Sequence, residues 1–456
     1  MKTTEDMARY VHETSYADID PAVVERAKNL ALSSIGSAIL GAGMDVTRLL
    51  AGYVRDQGGK QEAGVIGHGF RTSAELAAAM NCTASHCTEL EDVSFPDATY
   101  TCFLIPTVFS LGESLKASGR QVLEALILGY ELTARPGTIC SDDCATPRGW
   151  LPGAMLGTAG VAAVSAKMMG LSFEQTWNAI AIAASFAAGL NRQTGSGAHV
   201  IEAGFAGRNG ITAAILAGKG LTGNPTIMEG RAGFWDAMAG QPELDFKLGS
   251  GGDFMVMNVG MKKYPCCYLT QRIVDGLLEL KRRHDIALDA VDSVEIDVNQ
   301  IYPQILKYAE PENGEQARFS LPHIATAALA GESMFFDTFT TEKVRDPRLT
   351  AHRGKVRMTV HPEWGLDQLG EKNIVTVRMK NGAVHERTCF TAHGDPVDPL
   401  TREEVVGRYH ACAQGLMKDA KLDEVADLLS ALEHVDDVSI LMQLLTGDGR
   451  NAPVHP

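Results

Sequence analysis

The sequence predicts a mainly α protein in which an all-helical region is followed, after Tyr264, by a smaller α+β region and then by helices that return to the first. Three observations carry that expectation. Apolar residues recur on helical spacing from Ala22 to Leu40 and through most of the first half. The segments from Gly153 to Met169 and from Ser172 to Ala188 are rich in alanine and glycine, so their axes can approach closely, as at the centre of a helical domain. Two-residue alternation, the mark of a half-buried strand, first appears strongly at Val291 to Val298.

In chain order, Asp18-Ile19-Asp20-Pro21 reads as a helix start, with an acid at the cap and proline in the first turn. That helix stops at Gly41-Ala42-Gly43. Gly64 to Gly67 reads as a short strand or extended turn, and Thr72 to Ala84 as an alanine-rich helix. Helices are expected over Ile105 to Ala117 and Val122 to Thr133, and Ser172 with Gln175 forms a capping box. A helix from about Leu269 to Arg283 opens the second region. Val356 to Val360 and Ile374 to Met379 are further strands, and Lys380-Asn381-Gly382 turns the latter into a hairpin with Ala383 to Phe390. Leu321 to Ala330 is a helix among these strands, and from Thr401 the pattern is helical again, including Asp423 to Leu432.

Composition narrows the function. With 456 residues, 45% apolar and 21% charged, the chain is that of an ordinary soluble protein of two or three domains. No apolar run approaches the roughly 20 residues of a membrane span. The N-terminus MKTTEDMARYVHE has no apolar signal core, so a cytoplasmic enzyme is expected. The nine cysteines are scattered and none has a zinc-finger partner pair, which fits reduced thiols rather than a disulfide or zinc framework. A net charge of −15 argues against nucleic acid and anionic membranes as partners.

The chemistry concentrates in NCTASHCTELEDVSFPDATYTCFLIP, residues Asn81 to Pro106, where Glu89, Glu91, Asp92 and Asp97 lie between two apolar segments beside His86, Thr99 and Tyr100. Carboxylates set between buried elements are costly to desolvate unless paired or used chemically. In a continuous helix, His86 and Glu89 would share a face and Asp92 would follow three residues on. The plain alternative is a solvated loop whose acids cap a helix. Other polar stretches stand in apolar or glycine-rich settings: Arg148 to Gly153; Gly195 to Gly210, with His199 and Glu202 at a helix start; Met261 to Tyr268, with Lys262 and Lys263 ahead of Pro265; and Arg318 to His323. Taken singly, these histidines read as core or surface residues, the lysines as solvated, Arg208 as an ion-pair partner, and Cys266 and Cys267 as small buried hydrophobes.

Together the stretches NCTASHCTELEDVSFPD, GFAGRNGITAAILAGKGLTGNPTIMEGRAGF, KKYPCCYLTQRIVDG and ARFSLPHIATAAL resemble the MmgE/PrpD family, in the family's order, from about Asp20 to Asp395. The family includes 2-methylcitrate dehydratase, cis-aconitate decarboxylase and iminodisuccinate epimerase. The resemblance implies an all-helical domain from residues 1–266 plus 400–456 and an inserted α+β lid of residues 267–399. It also implies a homodimer, an active site where the two domains meet, and no cofactor or metal for most members. Position by position, it puts the first carboxylate of the acidic motif at Glu89 and the later pair at Glu91 and Asp92. The motif lysine falls on Lys262, a frequent tyrosine position on His323, and a lysine position of some members on His199. Histidines common in the family are replaced here by Ser94, Thr99 and Leu151.

The leading expectation is a lyase that takes a proton from the carbon next to a carboxylate in a small di- or tricarboxylic acid, most simply by dehydration or hydration. An epimerase is the alternative, and decarboxylation is a third course. Glu89 or Asp92 would be the base, its pKa raised by burial beside another acid. His199 or His323 would be the acid. Lys262 would hold the enolate, and Lys263, Arg208, Glu202, Thr99 and Arg148 would contact the anionic substrate. From different classes come a metal site on His86-x-x-Glu89 and His199-x-x-Glu202, and an inactive relative kept for binding, suggested by the missing histidines.

Overall fold

The computed structural model describes residues 3–95, 98–140, 144–366 and 370–447. Asp97, part of the polar loop at 141–143 and the last nine positions of the expected helical domain lie outside the described residues. The chain divides into two compact units: Met1–Arg192 with Ala198–Val259 and Thr401–Pro456, and Gln193–Gly197 with Gly260–Leu400. The protein is mainly α.

The first unit is helical because its segments carry both the start signals and the small residues that packing needs. Asp20 caps the Pro21–Gly41 helix by accepting from Ala22 N, with proline in the first turn. Ser172 and Gln175 form their reciprocal capping box ahead of Phe173–Ala184. Glycines set how closely the axes approach. A Cβ on Gly41 would lie 1.8 Å from Ala84 O, and one on Gly204 would lie 2.3 Å from both Ala79 O and Thr83 Oγ1. Helix Ala74–His86 is therefore gripped by Pro21–Gly41 and by Gly197–Gly218 at backbone distance. Helix Arg402–Ala413, the first of those after Thr401, has its own Thr401–Glu404 capping box and packs on Pro21–Gly41, and Gly36 faces Tyr409. Both chain ends thus build one core.

Boundaries differ from expectation where proline misleads. Pro106 reads as a first-turn residue, but the helix is Thr101–Leu115 and holds Pro106 inside. Likewise Gly119–Cys140 runs on through Pro136. Proline lacks its own N–H and crowds the carbonyl four residues back, and burial of both helices against neighbours outweighs that cost. Helices Thr3–Glu13 and Asp45–Gln57 were not foreseen. The all-α expectation for the first half is modified by a two-residue antiparallel ladder, Ala63–Gly64 with Arg71–Thr72. Among the described residues no single helix is long and apolar enough to cross a membrane.

The second unit is built on a four-stranded sheet in the order Val356–Val360, Val291–Val298, Asn373–Met379, Val384–Cys389. The first pair is parallel and the others antiparallel. Val294, Ile296 and Val298 are buried, as the alternation required, and the Lys380-Asn381-Gly382 hairpin forms with Gly382 at φ 87°. Helices Gln271–His284 and Leu321–Ala330 pack on this sheet and on each other. Ser320 caps the latter by accepting from His323 N. Arg272 is buried, its guanidinium donating to Asn373 Oδ1 and to the carbonyls of Gly370 and Phe390.

Candidate active site

The candidate site lies in the first unit, where the end of helix Ala74–His86 meets the start of helix Gly197–Gly218. The first helix stops at His86, so the helical spacing expected to pair His86 with Glu89 is broken. Glu89 instead adopts φ 52°, a left-handed conformation that costs a residue with a Cβ on the order of 1–3 kcal/mol. That turn returns the chain across the helix end. Glu89 Oε1 lies 3.6 Å from His199 Nε2, and Glu202 Oε2 lies 3.6 Å from His199 Nδ1. The ring of His86 meets that of His199 edge-on at 4.9 Å, and its Nδ1 faces Glu91 Oε1 at 3.5 Å.

These groups are held away from water. His86, Glu89, Glu91 and His199 are all buried, with Glu91 at 2% and Glu89 at 3% exposure. Burial alone would drive the proton off His199, but Glu202 and Glu89 on its two nitrogens outweigh it and raise its pKa to about 9. His199 is thus an imidazolium at neutral pH, held between two carboxylates. The other oxygen of Glu202 accepts from Leu190 N, which fixes the carboxylate. Beside Glu202 is a 330 Å³ cavity whose walls include Thr158, Phe186, Ile201, Phe205 and Asn209.

Asp92, the other candidate base, has different partners from Glu89. It is fully buried and accepts from Ser33 Oγ at 3.1 Å, with Arg408 Nη1 at 3.7 Å. Arg408 also donates to the carbonyl of Leu90. Burial pushes the Asp92 carboxyl up to about 6, opposed by Arg408, Arg26 and Ser33 and assisted by Glu91. Its partners come from helices at both ends of the chain, so it joins the structural frame behind the acidic stretch.

His323, the other candidate acid, stands in different surroundings from His199. It is fully buried in the second unit, with Nε2 2.9 Å from Thr338 O and Nδ1 3.0 Å from Arg353 Nη2. An Nε2–H donating to the carbonyl and an Nδ1 accepting from the guanidinium use both nitrogens of a neutral ring. Burial, with Arg353 and Lys343 adding to it against the Thr338 bond, lowers its pKa to about 4. This geometry is that of a core histidine.

Lys262 is buried in the second unit, and Lys263 pairs with Asp275 at 3.0 Å. Arg208 lies over the Phe205 ring at 4.7 Å, Arg148 is exposed, and Thr99 is half-buried. Glu89, His199 and Glu202 are therefore the expected residues that the first unit brings together. His86 and Glu91 join them, although sequence reasoning gave neither a catalytic role. Their signal was the density of His and Glu in one short stretch. Ser33 and Arg408 had none, because both are remote in sequence.

Comparison with known proteins agrees with the earlier resemblance. The chain is 25% identical to cis-aconitate decarboxylase of Mus musculus over 97% of this chain and 93% of that protein. For cis-aconitate decarboxylase of Homo sapiens the identity is 25%, covering 97% and 94%. For that of Aspergillus terreus (strain NIH 2624 / FGSC A1156) it is 24%, covering 99% and 96%. The MmgE/PrpD N-terminal domain matches residues 5–247 and the MmgE/PrpD C-terminal domain matches residues 264–432. By these matches, which span most of its length, the chain belongs to the MmgE/PrpD family.

Proposed function

We propose that the protein is a lyase that moves a proton at the carbon next to a carboxylate in a small di- or tricarboxylic acid, with Glu89 as base and His199 as acid. The observation that carries the reading is the position of His199 between Glu89 and Glu202, each 3.6 Å away in a buried setting. A carboxylate and an imidazolium side by side serve one face of a substrate. Glu89 would take the proton from carbon while His199 gives one to a departing hydroxyl, which is elimination, or hydration in reverse. Epimerisation calls for acid and base on opposite faces, so this geometry favours elimination. The similar proteins support a tricarboxylic substrate, since they are cis-aconitate decarboxylases.

Lys262 as the enolate-holding cation, Arg208, Lys263, Thr99 and Arg148 as substrate contacts, the second unit as a lid, the homodimer and the cytoplasmic setting belong to the same proposal, on the resemblance alone. The test is proton NMR in deuterium oxide with cis-aconitate, citrate, 2-methylcitrate and malate. Deuterium at a carbon next to a carboxylate, with a double bond gained or lost, is expected for the wild type. Glu89→Gln should lower that rate by at least about 100-fold, in line with removal of a general base. An unchanged rate in Glu89→Gln would overturn the assignment. Carbon dioxide release instead of water exchange would move the reading to decarboxylation.

A further inference from the structure

We propose that Gln271 is a positioning residue for Lys262: its buried carboxamide fixes the backbone that carries the lysine, and so the point at which an enolate charge is met. The proposal rests on the reading of Lys262 as the enolate-holding cation and deepens it by naming what holds that lysine in place. Residues 261–267 run with irregular backbone between strand Val259–Gly260 and the short 3-10 turn Tyr268–Thr270, and Lys262 is only 2% exposed. Buried backbone without a helix or sheet ladder must pair its N–H and C=O groups with side chains or loops.

Gln271, the first residue of helix Gln271–His284 and itself buried, supplies those partners. Its Oε1 accepts from Lys263 N and from Tyr264 N, each at 3.0 Å. Its Nε2 donates to Tyr264 O at 2.9 Å and to Cys266 O at 3.2 Å. Two lone pairs and two N–H groups are the full capacity of a carboxamide, so every polar position of this side chain serves the lysine segment. On the other side of Lys262, Met261 N donates to Gly394 O at 2.8 Å. A Cβ on Gly394 would lie 2.2 Å from Met261 O, so this approach, made at φ 117°, is open only to glycine. Lys262 is thus pinned at the residue before it and at the residue after it. Asp275, one turn along the same helix, adds a further tie, its Oδ1 accepting from Lys263 Nζ at 3.0 Å and from Tyr264 Oη at 2.6 Å. A charge that meets a developing enolate must be held to within about 0.5 Å, and a misplacement of about 1 Å can cost on the order of 100-fold in rate.

The test is a double-variant cycle on the full chain: Gln271→Met, Lys262→Ala and both together, read by deuterium incorporation with cis-aconitate. Gln271→Met keeps the length of the side chain and removes its hydrogen bonds. It is expected to lower kcat about 10–100-fold with KM within about threefold, since the enolate contact is made only in the transition state. Added to Lys262→Ala, the same change should cost less than about threefold, because the group it positions is gone. Losses that multiply in the double variant would mark a general structural role and overturn the proposal. Amide hydrogen exchange of the ligand-free chain, read by mass spectrometry, is a second measure that does not depend on turnover. Gln271→Met should speed exchange in 262–267 and leave helix Leu321–Ala330 at the wild-type rate. Wild-type protection of 262–267 would overturn the proposal as well. If Gln271→Met does not fold, Gln271→Glu, which keeps the acceptor for both N–H groups and loses the donors, carries the same cycle. Full-rate deuterium incorporation in Lys262→Ala removes the lysine from the chemistry and this role with it. A slowed Lys262→Ala beside an unimpaired Gln271→Met defeats this inference alone and leaves the reading of Lys262 standing.

Discussion

Two buried titratable side chains carry opposite shifts and set opposite pH dependences. Asp92 holds its proton more tightly folded than unfolded, with a folded pKa of about 6. Its contribution to stability is therefore full below about pH 4, the ordinary aspartate value, and is lost as pH rises through 6. Asp92→Asn should remove a component of about 2–3 kcal/mol from the pH dependence between those limits, read from urea melts at pH 4 and pH 7. Parallel curves for the two proteins would refute the burial of Asp92. His323 is the reverse, depressed to about 4, so its contribution is full above about pH 6.5 and lost as pH falls through 4. His323→Gln keeps a donor and an acceptor and should leave deuterium exchange within about threefold while moderating acid unfolding. A loss of exchange comparable to that of Glu89→Gln would restore His323 to the chemistry. Sequence could not separate these two roles, because a motif position gives a residue type and not the partners that occupy its atoms. Glu89 and His199 were legible because each stands in a stretch dense with chemistry. Glu91 was visible but lacked a partner until His86 was placed.

The helices meet where glycine lets them. Gly204 brings the His199 helix against Ala79 and Thr83 of the His86 helix, so the distance between two histidines far apart in sequence is set by a residue with no side chain. Gly204→Ala places a methyl 2.3 Å from backbone and hydroxyl oxygens and should cost about 1–3 kcal/mol by overpacking. It should also lower deuterium exchange more than a surface Gly→Ala control does, since the helix must shift. Wild-type exchange in a destabilised Gly204→Ala would mean that helix spacing does not tune the site. At this scale the sequence was readable: Val291–Val298 and the hairpin stand where alternation and Asn-Gly put them, and Leu321–Ala330 is the helix expected among the strands. Local periodicity and turn chemistry decide such elements. The continuation of Thr101–Leu115 through Pro106 and of Gly119–Cys140 through Pro136 was decided by tertiary burial, which no local window contains.

For the molecule as a whole, the first unit depends on both chain ends. Arg408, from helix Arg402–Ala413, supports Asp92 and the Leu90 carbonyl behind the acidic stretch. Arg408→Ala leaves the Asp92 charge without its main counter-ion and should destabilise by about 3–5 kcal/mol. A chain ending at Leu400 should fail to show a cooperative melt. Cooperative unfolding of that truncated chain, seen by calorimetry, would show that the C-terminal helices are dispensable. Composition foresaw a helical return after Thr401, but nothing in it marked Arg408 as the residue that reaches the acidic stretch.

The Arg408–Leu90 bond also has a meaning in time. Its partners are 318 residues apart, so on a ribosome adding roughly 5–20 residues per second the acidic stretch waits on the order of 15–60 s for its support. During that interval Asp92 and the helix face awaiting the C-terminal helix are exposed to solvent and to other nascent chains. The newborn protein should therefore depend on chaperones until its last helices emerge, and slowing translation near the 3′ end of its message should lower soluble yield more than slowing it at the start.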